Sequence, residues 1–184
     1  MKQVLGVVGS PRKYGNTHLL VERIIEGAQQ EGASCRTLFL DDYVIRECTG
    51  CHICWTDREC SRNDDMNGIY TLIAQSEVIV FGTPVYWYGP TALMKAFLDR
   101  FVYFNCPENR GLVRGKTAVL AVPFEENNPE TASILVGMFE KSFQYLEMEL
   151  AGTILVPGLT RKGEVTDMPE IMKACFDLGG RIAL

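Results

Sequence analysis

The stretch VLGVVGSPRKYGNT at positions 4–17 joins a short apolar run to the start of a helical pattern. Residues 4–8 are apolar on both faces of an extended chain, which is typical of a strand inside a parallel sheet. An apolar stripe at helical spacing follows the loop, and it consists of Leu20, Val21, Ile24, Ile25 and Ala28. Gly32 ends the predicted helix. The stretch therefore predicts a strand, a polar loop and a helix.

The same order of strand and helix repeats to the end of the chain. Further strands are predicted at 35–40, 78–81, 117–122 and 153–156. Helices are predicted after a cap at Asp64 or Asp65, from near Pro90, over 129–147 and from about Met168. This alternation predicts a single α/β domain over residues 1–184, with a flavodoxin-like, doubly wound five-stranded parallel sheet in the order 2-1-3-4-5. A cysteine-rich loop at about 41–63 follows the second strand.

Composition narrows the class of protein. A length of 184 residues with 47% hydrophobic residues suits one well-buried domain. The formal net charge of −5 provides no electrostatic footprint for nucleic acid. Seven cysteines, an odd number, do not fit a secreted disulfide framework. The apolar run 4–8 is too short for a signal peptide or a membrane span, so we expect a cytoplasmic protein without nucleic-acid or membrane partners.

Four cysteines lie close together in the predicted loop, and they are Cys48, Cys51, Cys54 and Cys60. The overlapping C-x2-C-x2-C spacing is the one with which bacterial ferredoxins bind three irons of a [4Fe–4S] cube, and Cys60 would supply the fourth ligand. A structural zinc usually takes two separated Cys-x-x-Cys pairs. Spacing alone does not decide the metal, so a zinc site or plain thiols remain alternatives.

The loop 9–17 is expected at the carboxyl edge of the sheet, where ligands of such folds bind. The start of a helix offers unpaired backbone N–H groups and the positive end of its dipole to a phosphate. Ser10 and Thr17 add hydroxyl groups, Asn16 adds an amide, and Arg12 adds a permanent charge. The spacing fits neither a P-loop nor a dinucleotide-binding loop. These residues predict a phosphate site of another kind, with a ligand-free turn as the alternative.

Three motifs in the first hundred residues of the chain resemble those of one known family. They are Ser10-Pro11-Arg12-x-x-Gly15-Asn16-Thr17, GTPVYWYG at 82–89 and LMKAFLDR at 93–100, and the four cysteines lie between the first two. In this combination the chain resembles the iron–sulfur flavoproteins of the NAD(P)H-dependent FMN reductase superfamily, which have the flavodoxin-like fold. The loop 123–127 departs from the small polar residues that such proteins usually place near the flavin.

The resemblance implies FMN as a cofactor and a [4Fe–4S] cluster on the four cysteines. The FMN phosphate would lie against Ser10, Arg12, Gly15, Asn16 and Thr17. The edge of the isoalloxazine ring would lie along Pro84, Val85, Tyr86 and Trp87. Related flavoproteins place the flavin near a subunit boundary, so a homodimer or homotetramer is expected.

These cofactors predict an FMN-dependent oxidoreductase that passes electrons between a ferredoxin-like one-electron carrier or NAD(P)H and a small-molecule acceptor. The cofactors carry the redox steps, so no catalytic side chain is assigned. The alternative is an NAD(P)H-dependent FMN or quinone reductase whose cysteines bind zinc or no metal. A sensor without enzymatic activity is a third class, but the sequence contains no segment typical of partner binding.

Overall fold

The computed structural model describes residues 1–56 and 59–184. Within these residues, five parallel strands form one sheet in the order β2-β1-β3-β4-β5, which confirms the predicted topology. The strands are β1 (Gln3–Val8), β2 (Ser34–Phe39), β3 (Val78–Gly82), β4 (Thr117–Pro123) and β5 (Glu149–Val156). The three central strands are almost entirely buried, as their continuous apolar runs predict.

The last strand is longer than the predicted segment 153–156, because β5 already begins at Glu149. Its register with β4 shifts between Ala118 and Val119, which pair with Leu150 and Gly152. This irregularity leaves one residue of the edge strand without a partner. Edge strands with a bulge tolerate small and polar residues, so the apolar pattern shows only the second half of β5.

Helices cover both faces of the sheet. The described residues form α1 (Asn16–Gln30), α2 (Met66–Gln75), α3 (Ala92–Asp99), α4 (Val102–Asn105), α5 (Ser133–Leu146) and α6 (Pro169–Ala183). α1 and α6 pack in one apolar cluster, and α2, α3 and α5 pack in the other. The predicted apolar stripe of α1 is fully buried. Across residues 1–56 and 59–184, no helix is long and apolar enough to cross a bilayer.

Three details of the helices differ from the sequence pattern. α3 begins at Ala92 rather than near Pro90, because the Thr91 hydroxyl accepts a hydrogen bond from the third N–H of the helix at 3.1 Å and caps it. α5 begins at Ser133, since residues 129–132 form a 3-10 turn. α4 was not predicted, because a helix of about one turn is too short to show a period.

Two glycines let α1 and α6 approach each other closely. A Cβ atom at Gly27 would lie 2.0 Å from the carbonyl oxygen of Phe176, and one at Gly179 would lie 1.9 Å from that of Ile24. Only glycine permits this contact between the two backbones. The crossing anchors α1, and with it the loop that precedes the helix.

Backbone contacts join the loops at the carboxyl edge of the sheet. The Gly9 N–H donates to the Gly82 carbonyl at 2.8 Å, and the Thr83 N–H donates to the Ala121 carbonyl at 3.1 Å. The hydroxyl of Thr91, the cap of α3, donates to the Gly9 carbonyl. The loops after β1 and β3 are therefore held side by side where the winding of the sheet reverses, which is where ligands bind in such folds.

Candidate functional site

A cleft opens at the carboxyl edge of the sheet, between the loops that follow β1, β3, β4 and β5. It encloses about 660 Å³, counting the part open to solvent, and ligand pockets commonly measure roughly 300–1,000 Å³. The cleft is lined by eight of the residues predicted to bind a cofactor, and they are Ser10, Arg12, Gly15, Asn16, Thr17, Pro84, Val85 and Tyr86. The structure thus brings two loops that are distant in sequence to one site.

The first loop presents backbone donors to this cleft. Gly15 precedes α1 and no side chain caps the helix, so N–H groups of its first turn are left for a ligand. The Gly15 N–H donates to the Arg12 carbonyl at 3.0 Å, and a Cβ atom at Gly15 would lie 2.9 Å from that oxygen. Ser10 and Thr17 are buried in the cleft wall, whereas Arg12 is exposed. Unpaired N–H groups at the start of a helix are a favourable position for an anion.

The Asn16 side chain joins the first loop to the segment that follows β5. Its Nδ2 donates to the Arg161 carbonyl at 2.8 Å, and its Oδ1 accepts from the Val165 N–H at 3.2 Å. Both ends of the amide are therefore engaged with the segment after β5. A phosphate contact by this residue is expected from its backbone N–H, which lies in the first turn of α1.

The second loop carries a strained aromatic turn. Tyr86 and Gly89 pair as an isolated antiparallel bridge, with N–H···O distances of 2.8 and 3.0 Å. Between them, Trp87 and Tyr88 have φ angles of 49° and 63°. Bulky residues are rare in this region, and each such residue costs about 1–3 kcal/mol. The surrounding structure therefore enforces a turn that leaves the Trp87 side chain 97% exposed.

Trp87 lies outside the main cleft. It lines a neighbouring recess together with Tyr88 and Glu126. Val85 and Glu125 border both the cleft and the recess, so the two spaces adjoin. The predicted contact of Trp87 with a cofactor stays a prediction.

The cleft also contains residues from the loops after β4 and β5. Glu125 lies in the loop 123–127, whose departure from the family pattern is visible in the sequence, whereas no motif indicates Thr160 and Lys162, which follow β5. The rule that ligands bind beyond the carboxyl ends of the strands could have found them. Glu164 shapes this loop, because its Oε2 accepts from the N–H groups of Thr160 and Arg161 at 2.9 and 2.8 Å. These hydrogen bonds, that of Arg161 first, lower the pKa of Glu164.

A second, smaller cavity is lined by all four cysteines of the motif, Cys48, Cys51, Cys54 and Cys60. Left-handed φ angles of 66° at Gly50 and 57° at His52 curl the backbone between the first three. Positions 57 and 58, between the last two cysteines, lie outside the described residues. Within residues 1–56 and 59–184, no three His, Cys, Asp or Glu side chains form a ready-made metal site.

The thiols of this cavity differ in their acid–base environment. Burial, followed by the nearby sulfurs of other cysteines, Cys60 first, raises the pKa of Cys54 to about 11. Cys51 is exposed, and its sulfur lies 3.2 Å from the Ser61 hydroxyl oxygen. Hydrogen bonds, that of Ser61 first, lower the pKa of Cys51 to about 7. Metal ligation requires the thiolate, so the lowered pKa of Cys51 favours its ligating form, whereas the raised pKa of Cys54 opposes it.

Two arginines also line the cysteine cavity, and the sequence motifs assign a role to neither. The Nε of Arg62 is buried without a hydrogen-bond partner among the described residues. The Nη2 of Arg100 donates to the Cys60 sulfur at 3.1 Å, and its Nη1 donates to Asp64 Oδ2 at 2.6 Å. Positive charge and an unpaired donor beside four thiols suit an anionic group in this cavity.

Known proteins resemble this chain over most of its length. The sequence model of the family described as NADPH-dependent FMN reductase matches residues 2–132. An iron–sulfur flavoprotein of Archaeoglobus fulgidus is 30% identical over 183 residues, which cover 98% of this chain and 79% of that protein. An iron–sulfur flavoprotein of Methanosarcina thermophila is 28% identical over 169 residues, which cover 91% of this chain and 83% of that protein.

A solved structure has the same fold. The Trp repressor binding protein from Bacillus subtilis superposes with a TM-score of 0.70 at 23% identity, covering 96% of this chain and 98% of that chain. At this identity the likeness shows the fold alone, and it agrees with the strand order of the sheet.

Proposed function

Because this chain belongs to the iron–sulfur flavoproteins of the NADPH-dependent FMN reductase superfamily, we propose that it passes electrons through FMN and a [4Fe–4S] cluster. The chain is an FMN-dependent oxidoreductase. Its electron donor would be a ferredoxin-like carrier or NAD(P)H, and its acceptor would be a small molecule. The observation that carries the proposal is the presence in one chain of an anion-receiving cleft and a cavity lined by four cysteines.

FMN would bind in the cleft at the carboxyl edge of the sheet. Its phosphate would meet the first turn of α1, with the Thr17 hydroxyl and the Arg12 guanidinium as further partners. Lys162, which lines the same cleft, adds positive charge from the loop after β5. The ring would lie along Pro84–Tyr86, and the hydrogen bond from Thr91 to Gly9 keeps this loop beside the phosphate loop. The residues therefore fit the cofactor.

The cysteine cavity fits an iron–sulfur cluster better than it fits a plain thiol surface. Cys48, Cys51, Cys54 and Cys60 would be the ligands. Four thiolates bring negative charge into a partly buried site, where the guanidinium groups of Arg62 and Arg100, each also paired with a carboxylate, supply N–H donors. The Nε of Arg62, which has no hydrogen-bond partner among residues 1–56 and 59–184, would gain an acceptor.

The two groups would supply complementary chemistry: bound FMN accepts a hydride or single electrons, and a [4Fe–4S] cluster passes one electron at a time. The chain itself supplies binding, orientation and charge. We place this activity in the cytoplasm, where reducing conditions keep the cysteines available as ligands.

A second candidate is an NAD(P)H-dependent FMN or quinone reductase whose cysteines hold zinc or no metal. This candidate stays open because the spacing of the cysteines alone does not decide which metal they bind. The cysteine spacing favours the first candidate, because the overlapping C-x2-C-x2-C pattern is the one that bacterial ferredoxins use, whereas a structural zinc usually takes two separated Cys-x-x-Cys pairs.

We further propose that the protein functions as a homodimer or homotetramer. Trp87 and Tyr88 are held outward by a strained turn at the edge of the recess beside the cleft. Exposed aromatic side chains are typical of surfaces that another protein covers. A subunit seated on this turn would also close the mouth of the cleft.

The deciding experiment is anaerobic purification followed by a visible spectrum and assays of FMN, iron, sulfide and zinc. We expect the flavin bands on a broad absorbance, with iron and sulfide in equal amounts. Flavin with zinc, or with no metal, would select the second candidate. A protein that binds neither flavin nor metal after reconstitution would overturn both.

A further inference from the structure

The guanidinium of Arg100 is buried at the end of α3, beside the cysteine cavity. The side chains of Arg100 and of its partner Asp64 are each only 1% exposed, and Nη1 lies 2.6 Å from Oδ2. A buried ion pair gains little net stability, because both charges must be desolvated. Burial tends to lower the pKa of Arg100, but the hydrogen bond with Asp64 raises it above its ordinary value. Arg100 is therefore a fixed, buried positive charge, and its contribution to stability alone does not explain why it is there.

Four contacts fix the orientation of this guanidinium. Nη1 donates to Asp64 and also to the Arg46 carbonyl at 3.0 Å, and Nε donates to the Tyr70 hydroxyl at 3.3 Å. Nη2 then donates to the Cys60 sulfur at 3.1 Å. Because the guanidinium is planar and rigid, the first three contacts determine where Nη2 points. The contacts with Asp64, Arg46 and Tyr70 therefore hold Nη2 in the position from which it reaches the Cys60 sulfur.

Asp64 extends this network to the backbone around the cysteine loop. Its Oδ2 accepts from the Arg46 N–H at 3.0 Å, and its Oδ1 accepts from the Met66 N–H at the start of α2 at 3.2 Å. Asp65 occupies the N-cap position of α2, but its side chain does not cap the helix and instead accepts from the Val44 N–H at 2.7 Å. Both ends of the segment that carries the cysteines are thus tied to the core.

The same helix reaches from the cysteine cavity to the cleft. The N-terminal cap of α3, Thr91, donates to Gly9 in the phosphate loop, and Arg100 follows the last residue of the helix. Eight residues of helix span roughly 12 Å. α3 is therefore a rigid spacer with one end against the proposed flavin loop and the other against Cys60.

We propose that Arg100 is a positioning residue for Cys60, and that its N–H···S contact raises the reduction potential of the cluster that Cys60 would ligate. The inference rests on the proposed function, since it concerns the [4Fe–4S] cluster. Reduction adds negative charge to the cluster and its sulfurs. A hydrogen bond and a positive charge at one ligating sulfur stabilise that reduced state more than the oxidised one.

The test compares cluster potentials in reconstituted wild-type protein and variants, by EPR-monitored redox titration. Arg100→Met combined with Asp64→Asn removes the donor without leaving a buried charge unpaired. We expect at least a tenfold shift toward the oxidised cluster at a given potential, which is 59 mV for one electron. Asp64→Asn alone keeps the donor and removes a negative charge, so it should shift the potential the opposite way. The FMN potential should stay unchanged in both.

Arg23→Met is the matched control, because Arg23 also pairs with a carboxylate and packs on an aromatic ring, but between α1 and α6 on the opposite face. If the double variant has the wild-type cluster potential and only a lower denaturation midpoint, Arg100 is structural and the inference is wrong. Arg100→Lys keeps the positive charge but loses the planar set of N–H donors, so it should lower the cluster potential by less than the double variant. If wild-type protein takes up no iron and sulfide, the cluster proposal itself fails, and this inference with it.

Discussion

Asn16 holds Arg161 across the mouth of the cleft: its Nδ2 donates to the Arg161 carbonyl at 2.8 Å, while its Oδ1 accepts from the Val165 N–H. These two bonds join the loop after the first strand to the loop after the last. Lys162, which lines the cleft, is the next residue after Arg161. Asn16 therefore positions the loop that carries Lys162, whose positive charge adds to that of Arg12 in the phosphate loop.

Asn16→Ala should weaken FMN binding without unfolding the protein. It removes two hydrogen bonds of about 0.5–1.5 kcal/mol each and frees the loop that carries Lys162. Titration of apo-protein with FMN measures the affinity, and hydrogen exchange at 160–165 reports the loop. Asn105→Ala is the control, because Asn105 bonds Tyr145 and Arg110 away from the cleft. Wild-type affinity together with faster loop exchange would show that the loop does not contribute to binding.

Arg12→Ala and Thr17→Val should each weaken FMN binding far more than riboflavin binding. Each variant removes one partner of the phosphate, worth about 1.5–3 kcal/mol when the hydrogen bond is charge-assisted. Thr17 is buried, but valine has nearly the same shape, so the fold should persist. Parallel titrations with FMN and riboflavin separate a phosphate effect from a ring effect. Equal losses for both ligands would place these residues away from the phosphate.

The strands were predictable because buried parallel strands consist of apolar runs such as 78–81 and 117–122. Their order was predictable because helices alternate with them along the chain. What the pattern missed depends on tertiary context. β5 begins as early as Glu149 because an edge strand with a bulge accepts small and polar residues. α3 starts at Ala92 because the Thr91 hydroxyl caps the helix. Neither feature has an apolar period that a sequence could display.

The site was predictable only as far as its residues lie in motifs. The phosphate loop and the cysteines are contiguous, so spacing alone groups them. Lys162 reaches the cleft only because β5 ends at the same edge. Arg100 lies in the motif at 93–100, but it follows the end of α3, a position that favours basic residues on any surface, so the motif does not show that its side chain is buried. The exposure of Trp87 depends on a positive φ that non-glycine residues seldom adopt.

Gly179→Ala and Gly180→Ala should have opposite effects on stability. A Cβ atom at Gly179 would lie 1.9 Å from the Ile24 carbonyl oxygen, whereas one at Gly180 has its nearest neighbour at 3.7 Å. The first variant should therefore push α1 away from α6 and lose about 1–3 kcal/mol. The second should gain about 0.5–1 kcal/mol from helix propensity. Urea denaturation measures both, and equal effects would contradict the close crossing.

Sedimentation should show a dimer or tetramer, and Trp87→Asn should weaken its association. Asparagine tolerates the positive φ of this position, so the turn itself should be retained. The side chain of Trp87 would be the contact that is lost. Ile134→Asn on α5 is a control at another exposed apolar residue. A monomeric wild-type protein at micromolar concentration would contradict the proposed assembly.

Cys60→Ala should separate the two candidate functions. If the four cysteines hold a [4Fe–4S] cluster, one iron loses its thiolate, and reconstitution should yield a labile cluster or a three-iron form. FMN should stay bound, because the cleft lies on other loops. Flavin reduction by a hydride donor should therefore persist, while electron exchange with ferredoxin falls sharply.

Cys175→Ala is the matched control for this variant, because Cys175 is equally a free cysteine but is buried in α6, on the opposite face of the sheet from α3. Burial raises the pKa of Cys175 to about 12, and this thiol does not line the cysteine cavity. Its loss should alter neither the EPR spectrum nor the exchange with ferredoxin.

If the cysteines instead hold zinc, Cys60→Ala should change the zinc content and leave both electron-transfer rates as in wild type, because zinc has no redox chemistry. Equal rates with a hydride donor and with ferredoxin, in a protein that takes up no iron, would decide against the cluster.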